Sequence, residues 1–256
     1  MSTPEEAARA IFGQRAAFYT TSSAHTDQHV LGRVVALAQA APDWNALDVA
    51  TGTGHTAFAL APLVRAVVGI DLTPEMLAEA QRLQAARTLP NVSFQVADVH
   101  HLPFADAAFD LVTCRRAAHH FSNIGGALQE MRRVLRPGGR LVVDDRSVPE
   151  DDEVDALMNQ LDLYHDASHV REYRPSAWQR LLEEAGFLVE ATEPYTRHRP
   201  LRSLTEGVAE REVQRIQHTL AQLTPRQRAV FDLREDQGEL AFNHWYVLLA
   251  ARKTGG

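Results

Sequence analysis

Short apolar runs of strand length alternate with helical patterns through the first two thirds of the chain. The apolar runs that predict strands lie at 45–50, 66–71, 92–98, 109–114 and 140–145. Between them, residues 73–87 and 123–135 carry apolar positions at helical spacing. Strands that alternate with helices in this way predict a parallel sheet covered on both faces, which is a Rossmann-like, doubly wound α/β fold.

The two predicted helices have recognisable ends. Thr73 stands at a suitable N-cap position, and Pro74 suits the first position of the helix that follows. The helix at 123–135 is stopped by the segment RPGGR, in which Pro137 precedes two glycines.

The pattern changes after about residue 150. An acidic cluster opens a polar amphipathic helix at 149–166, where negative charge suits a helix N-terminus. A second helix, a strand, a long helical stretch and a final strand follow at 175–186, 187–195, 201–232 and 240–253. Because the final strand comes after so much helix, we expect it to pair antiparallel with its neighbours.

The turn after the first predicted strand has the spacing of a nucleotide-binding loop. In LDVATGTGHTA, residues 47–57, the positions Gly52, Gly54 and Ala57 fit the pattern G-x-G-x-x-G/A. Asp71 follows Gly52 by 19 residues, where an acidic side chain can bind ribose hydroxyls. The first interpretation is therefore a nicotinamide or flavin dinucleotide, as in a dehydrogenase.

Asp48, at the end of the same strand, argues against that interpretation. A carboxylate there repels a pyrophosphate, but it suits a ligand that carries an amino group and a positive charge. S-adenosylmethionine is such a ligand, because it has a sulfonium, an ammonium and a ribose and no phosphate. Asp98, at the end of the third strand, can accept a hydrogen bond from the adenine amine, and the backbone N–H of Val99 can serve a ring nitrogen. Acids at strand ends also cap helices, so each of them alone leaves both interpretations open.

Four separated segments resemble the successive motifs of class I S-adenosylmethionine-dependent methyltransferases of the ubiquinone/menaquinone-biosynthesis type (methyltransferase type 11). They are LDVATGTGHTA, VVGIDLTPEMLAEA, VSFQVADVHHLPFADAAFDLVTC and ALQEMRRVLRPGGRLVV, and the resemblance covers roughly residues 10–190. It implies a seven-stranded, mostly parallel sheet whose last strand is antiparallel. It also implies that residues 12–25 form a helical flap, with Gln14 and Tyr19 near the methionine end of the cofactor.

The resemblance implies the cofactor S-adenosyl-L-methionine, the product S-adenosyl-L-homocysteine and a set of contacts to them. These contacts are Tyr19, Asp48, Ala50, Gly52, Thr53, Gly54, Asp71, Leu72, Met76, Ala97, Asp98, Val99 and Arg115. The expected organisation is one domain, 1–256, with a flap at 1–41, a cofactor-binding core at 42–150, a lid with substrate-specificity insertions at 151–235 and a terminal strand at 236–256.

Candidate catalytic groups cluster after the fourth strand. His119 and His120 emerge at the carboxyl edge of the sheet, and an imidazole suits a general base near neutral pH. Packing beneath the next helix is the alternative for either histidine, and solvent exposure is the alternative for Arg116. The residues assigned to the substrate are Arg116, Asp144, His169 and Arg171. His165 and His169 are spaced i,i+4, but no further ligand completes a site, and no metal is expected.

Bulk properties narrow the class of partner. The 256 residues are 45% hydrophobic and 23% charged, with a net charge of −7, which gives no basic surface for nucleic acid or for an anionic membrane. The sequence has no 18-residue apolar run and one cysteine, Cys114, which is expected to be buried. We expect a cytoplasmic enzyme without a nucleic-acid or membrane partner, and the sequence leaves a homodimer open.

The sequence therefore predicts a methyltransferase that moves a methyl group to O, N or C of a small molecule by in-line displacement. Three alternatives remain at this point. The same cofactor can serve an isomerase, cyclase or lyase without methyl transfer, or it can be sensed by a regulatory binding module. A dehydrogenase would instead bind a dinucleotide.

Overall fold

The structure, a computed structural model, describes residues 4–236 and 238–255. Its strands are β1 Asn45–Val49, β2 Ala66–Asp71, β3 Val92–Val96, β4 Phe109–Arg115, β5 Leu135–Ser147, β6 Phe187–Pro200, β7 Arg234–Asp236 and β8 Glu239–Lys253. Its α-helices are α1 Pro4–Tyr19, α2 Ser23–Thr26, α3 Gln28–Ala38, α4 His55–Leu60, α5 Pro74–Ala85, α6 Ile124–Val134, α7 Asp152–His165, α8 Pro175–Glu184, α9 Arg202–Thr205, α10 Glu210–Ala221 and α11 Pro225–Phe231.

The strands form one mixed sheet with the order β3-β2-β1-β4-β5-β8-β6. Strands β1 to β5 pair in parallel, whereas β8 pairs antiparallel with both β5 and β6. This confirms the predicted fold and the predicted antiparallel last strand. Because β1 to β4 are parallel, their carboxyl ends meet at one edge, where open α/β sheets bind ligands.

Helices cover both faces of the sheet, as the continuous apolar runs require. Residues 46–49 of β1 are all buried, which is typical of a central parallel strand. Leu47 and Val49 pack on one side with residues of α6 and α8. Ala46 packs on the other side with residues of α3 and α4. A third apolar cluster joins α7, α9, α10 and α11 to β8 and builds a separate helical layer beside the sheet.

Local features differ from the predictions in four places. Thr73 is the N-cap residue of α5, as predicted, but its side chain makes no capping hydrogen bond. The RPGGR segment does not follow the helix as a loop, since β5 begins at Leu135. The helical stretch at 201–232 is split into α9, α10 and α11, and the short β7, which the pattern did not predict, pairs with β8.

Two further observations concern membrane-spanning helices and the cysteine Cys114. Within the described residues, no helix is both long and apolar enough to cross a bilayer. Cys114 is buried in β4, as expected.

We expect Leu47→Ala to destabilise the protein by about 2–5 kcal/mol, because Leu47 is fully buried between the sheet and the helices α6 and α8 and its loss leaves a cavity. Urea denaturation followed by circular dichroism measures the change. The control is Leu188→Ala in β6, where 58% of the side chain is exposed, and its effect should stay within about 0.5 kcal/mol. Equal losses in the two variants would contradict this account of the core.

Candidate active site

A cavity of about 140 Å³ lies at the carboxyl ends of β1, β2, β3 and β4; we call it the strand-end cavity. It is lined by all but one of the residues that the sequence assigned to the cofactor, namely Tyr19, Asp48, Ala50, Gly52, Thr53, Asp71, Leu72, Met76, Ala97, Asp98, Val99 and Arg115. The exception is Gly54, which lies beneath the turn. The fold therefore brings together groups that are far apart in the sequence.

The turn after β1 requires an unusual backbone. Ala50, Gly52 and Gly54 have φ values of 51°, 54° and 87°, in the left-handed region that glycine adopts without strain. A Cβ on Gly54 would lie 2.8 Å from the Phe58 ring, so only glycine fits there. The Gly52 position has open space instead, and its N–H donates to Asp71 Oδ2 at 2.9 Å.

Asp48 is fixed below the strand-end cavity. Its two oxygens accept hydrogen bonds from the hydroxyls of Thr51 and Thr113, each at 2.6 Å. Burial raises the pKa of this carboxyl, while the two hydroxyls and Arg115 favour its charged form. Because a carboxylate has about four lone-pair sites, Asp48 keeps acceptor capacity for a further donor.

Asp71 and Asp98 stand at the ends of β2 and just beyond β3. Asp71 accepts the N–H groups of Gly52 and Thr73, which orient its carboxylate, and burial raises its pKa. Asp98 is the more open acid, with 37% of its side chain exposed, and it contacts His100 Nδ1 at 2.8 Å. His100 also lies on the wall of the strand-end cavity.

Arg115, the last residue of β4, is a buried cation with an unused donor. Its Nε donates to Thr56 Oγ1 at 3.0 Å, and its Nη2 donates to the carbonyl oxygen of His25 at 2.7 Å. Its Nη1 is buried and has no hydrogen-bond partner among the described residues. A buried guanidinium without an anionic partner is costly, so this group is preorganised for a negatively charged ligand atom.

Arg116 lines both cavities, but its guanidinium already has partners. Its φ of 57° turns the chain at the end of β4. Its Nε donates to Asp144 Oδ2 at 2.8 Å, and its Nη2 donates to the Tyr195 hydroxyl at 2.8 Å. The guanidinium also lies over the Tyr246 ring, 3.9 Å from its centroid. Asp144 therefore neutralises the charge of Arg116. Asp144 itself lines neither cavity.

A second cavity, of about 470 Å³, lies beside α7 and α9, in the segment 151–235 that was predicted to form a lid; we call it the lid cavity. Its walls come from α1, α7, α9, the end of β6 and β8. The two cavities have five lining residues in common, which shows that they adjoin: Phe12, Tyr19, His25, Arg116 and His120.

His120 stands at the junction of the two cavities. Its Nδ1 lies 3.1 Å from both the carbonyl oxygen and the hydroxyl of Ser168. When Nδ1 donates to that carbonyl oxygen, the lone pair of the ring is on Nε2. Phe12 packs edge-on against the ring with centroids 5.0 Å apart, which fixes its plane.

His119 faces the lid cavity and is oriented by Asp145. Asp145 accepts the His119 backbone N–H at 2.8 Å and contacts its Nδ1 at 2.6 Å. Burial raises the pKa of Asp145 to about 6 and, together with the charges of His120 and Arg146, lowers the pKa of His119 well below its ordinary value. At neutral pH the pair is thus a carboxylate that accepts Nδ1–H from a neutral imidazole.

The remaining predicted substrate residues are not brought together. His169 lines the lid cavity, but its Nε2 is engaged with Asn159 Oδ1 at 3.0 Å. Arg171 lines neither cavity and pairs with Asp155 at 2.8 Å. His165 ends α7 while His169 lies beyond it, so the two do not share a helix face.

Comparisons with known proteins agree with this geometry. A family model described as a methyltransferase domain matches residues 47–143. The Bacillus subtilis protein named uncharacterized methyltransferase YcgJ is 38% identical over 170 residues, which are 66% of this chain and 67% of that protein. The solved structure of the Bacillus halodurans methyltransferase BH2331 superimposes with a TM-score of 0.84 at 32% identity, over 88% of this chain and 99% of that one.

The chain belongs to the methyltransferase family. A demethylmenaquinone methyltransferase from Thermus thermophilus is 51% identical over 100 residues, which are 38% of this chain and 44% of that protein. This confirms the resemblance to menaquinone-biosynthesis-type methyltransferases for the core of the fold. The chain spans less than half of that relative, so its substrate is not carried over with the family.

Sequence reasoning missed several residues of this methyltransferase that line the lid cavity. Arg199, Ser203 and Tyr246 come from β6, α9 and β8, and they meet only because β8 inserts between β5 and β6. His25, on α2, supplies a carbonyl to Arg115. These residues carry no local motif, so the topology was needed to find them.

We expect His119 to be neutral at pH 7, with its proton on Nδ1, because burial lowers its pKa and Asp145 accepts that proton. Nitrogen-15 NMR of histidine-labelled protein identifies the tautomer and its titration. In Asp145→Asn the Nδ1–H preference should weaken. An imidazolium signal for His119 at pH 7 would contradict this assignment.

Proposed function

We propose that this methyltransferase uses S-adenosyl-L-methionine to methylate a small molecule bound in the lid cavity. The observation that carries the proposal is that two cavities meet at His120. One holds the predicted cofactor residues, and the other is large enough for an organic acceptor. A volume of about 470 Å³ falls within the roughly 300–1,000 Å³ of ordinary small-molecule sites.

The unpaired Nη1 of Arg115 is the best evidence that the strand-end cavity fits this cofactor. An amino-acid carboxylate would give the buried guanidinium the anionic partner that it lacks. Asp48, below the same cavity, supplies the negative charge that an ammonium or sulfonium needs. Opposite charges at adjacent strand ends thus suit a zwitterionic ligand.

The other end of the strand-end cavity suits the nucleoside. Asp71 is oriented by two backbone N–H groups and has lone pairs left for ribose hydroxyls. Asp98 and the Val99 N–H are proposed to bind the adenine edge. Three carboxylates around one cavity disfavour the diphosphate of a dinucleotide, so the dehydrogenase alternative has no support here.

When bound, the cofactor supplies an electrophilic methyl group on a positively charged sulfur. The chain's own residues hold the two ligands next to each other, and such positioning lowers the barrier by roughly 7–11 kcal/mol. Phe12 and Tyr19, on the flap α1, line both cavities and shield their junction from water. His120, anchored to Ser168 through Nδ1, accepts a proton at Nε2 from an acceptor O–H or N–H group.

We expect Arg115→Gln to raise the dissociation constant of S-adenosylhomocysteine by about 10–150-fold, because a charge-assisted hydrogen bond worth about 1.5–3 kcal/mol is lost. Calorimetry measures the affinity, and thermal melting checks that the variant is folded. The control is Arg65→Gln, an exposed arginine that lines neither cavity and should leave the affinity unchanged. An unchanged constant in Arg115→Gln, or tighter binding of NAD than of S-adenosylhomocysteine, would refute the assignment.

We expect the wild-type protein to form S-adenosylhomocysteine when incubated with radiolabelled methyl donor and a metabolite panel. His120→Gln should slow that reaction by about 10²–10⁴-fold for a hydroxyl acceptor, because the base is removed, and it should weaken S-adenosylhomocysteine binding less than Arg115→Gln does. Conversion of an acceptor without formation of S-adenosylhomocysteine would instead indicate the isomerase, cyclase or lyase alternative. Full activity of His120→Gln would exclude His120 as the base.

A further inference from the structure

The inner wall of the lid cavity is built around one buried phenol. The Tyr246 ring stacks on Tyr195 with centroids 5.2 Å apart and lies under the Arg116 guanidinium. Arg199 Nη1 donates to the Tyr246 hydroxyl at 3.3 Å. Arg146 also lines this cavity, so several cations surround one hydroxyl.

The cations of this wall differ in how they are neutralised. Arg116 pairs with Asp144 at 2.8 Å, and Arg146 pairs with Asp162 at 2.6 Å. Arg146 also contacts Glu172, but burial raises the pKa of Glu172 well above its ordinary value, so this acid adds little negative charge. No carboxylate of residues 4–236 or 238–255 forms an ion pair with Arg199, which leaves an uncompensated positive charge at the wall.

The pKa values of two groups that line the lid cavity, Tyr246 and His25, reflect a positive electrostatic potential. Burial raises the pKa of the Tyr246 hydroxyl, but the nearby guanidinium groups outweigh it and hold the pKa below its ordinary value. These groups belong to Arg116, Arg146 and Arg199. Burial lowers the pKa of His25, and Arg115, Arg116 and Arg199 lower it further. Such a potential attracts anions.

A polar atom without a partner stands in the same cavity. Ser203 Oγ is buried, lines the lid cavity and has no hydrogen-bond partner among the described residues. Buried hydroxyls are normally satisfied, so this one is available to a ligand. Three acids line the same cavity. Asp162 is paired with Arg146, Asp166 accepts hydrogen bonds from Ser168, and Glu206 follows α9 without an ion pair to Arg199.

We propose that the acceptor carries an anionic group, a carboxylate or a phosphate, which binds at the inner wall of the lid cavity to Arg199, with Ser203 and the Tyr246 hydroxyl as further partners. Calling this ligand the methyl acceptor rests on the proposed function. The evidence for an anion-binding site comes from the lid cavity alone. It moves to Arg199 the substrate-binding role predicted for Arg116, whose charge Asp144 already neutralises.

The test uses benzoate and benzamide, which match in shape and differ in charge, with phenyl phosphate to separate a phosphate site from a carboxylate site. Carbon-13 NMR of ring-labelled tyrosines follows binding, and Tyr246→Phe assigns the Tyr246 signal among the five tyrosines. We expect benzoate or phenyl phosphate to shift this signal and to bind about tenfold more tightly than benzamide.

Arg199→Gln should abolish this preference, and Arg199→Lys should restore part of it. The matched control is Arg197→Gln, two residues along β6, because Arg197 is exposed, pairs with Asp27 and lines neither cavity. Equal binding of benzoate and benzamide, the same loss in Arg197→Gln, or no binding of either anion would overturn the inference.

Calorimetry with S-adenosylhomocysteine on the same samples keeps the two proposals separate. A protein that binds the anions but not S-adenosylhomocysteine would retain the anion site and lose the proposed function. A protein that binds S-adenosylhomocysteine but neither anion would retain the proposed function and lose this inference.

Discussion

The burial of two consecutive arginines at the end of β4 is the constraint on which the rest of the site depends. Both Arg115 and Arg116 line the strand-end cavity, and Arg116, whose backbone is left-handed, also lines the lid cavity. The Arg115 guanidinium is held by Thr56 and a carbonyl and keeps a free donor, whereas the Arg116 guanidinium is neutralised by Asp144. Arg115 is therefore available to an anionic ligand atom, and the charge of Arg116 is already balanced.

The sheet order explains why the two cavities adjoin. β4 is central, so its end borders the parallel strands β1 and β2 on one side and β5 with the antiparallel β8 on the other. Left-handed backbone at Ala50 and Arg116, which costs roughly 1–3 kcal/mol for each residue other than glycine, occurs at the ends of two paired strands. Backbone strain often occurs at functional sites, and here it lies at the edge of the sheet where the two cavities open. The stability of the buried sheet compensates for this strain.

The sequence predicted the parallel core and the strand-end cavity because both depend on local patterns. Apolar runs define β1 to β5, and the glycine turn places Gly52 beside Asp71. The lid cavity could not be read in this way. Arg199 and Tyr246 lie 47 residues apart and meet through the pairing of β6 with β8. Arg171 was expected at the substrate, but the carboxylate of Asp155 on α7 holds it outside both cavities.

The most direct test of the account is a crystal structure of the protein with S-adenosylhomocysteine. We expect the ligand carboxylate to lie within hydrogen-bond distance of Arg115 Nη1 and the ribose to contact Asp71. The sulfur should face His120 and the lid cavity. A ligand whose carboxylate lies away from Arg115, or whose sulfur points away from the lid cavity, would contradict it.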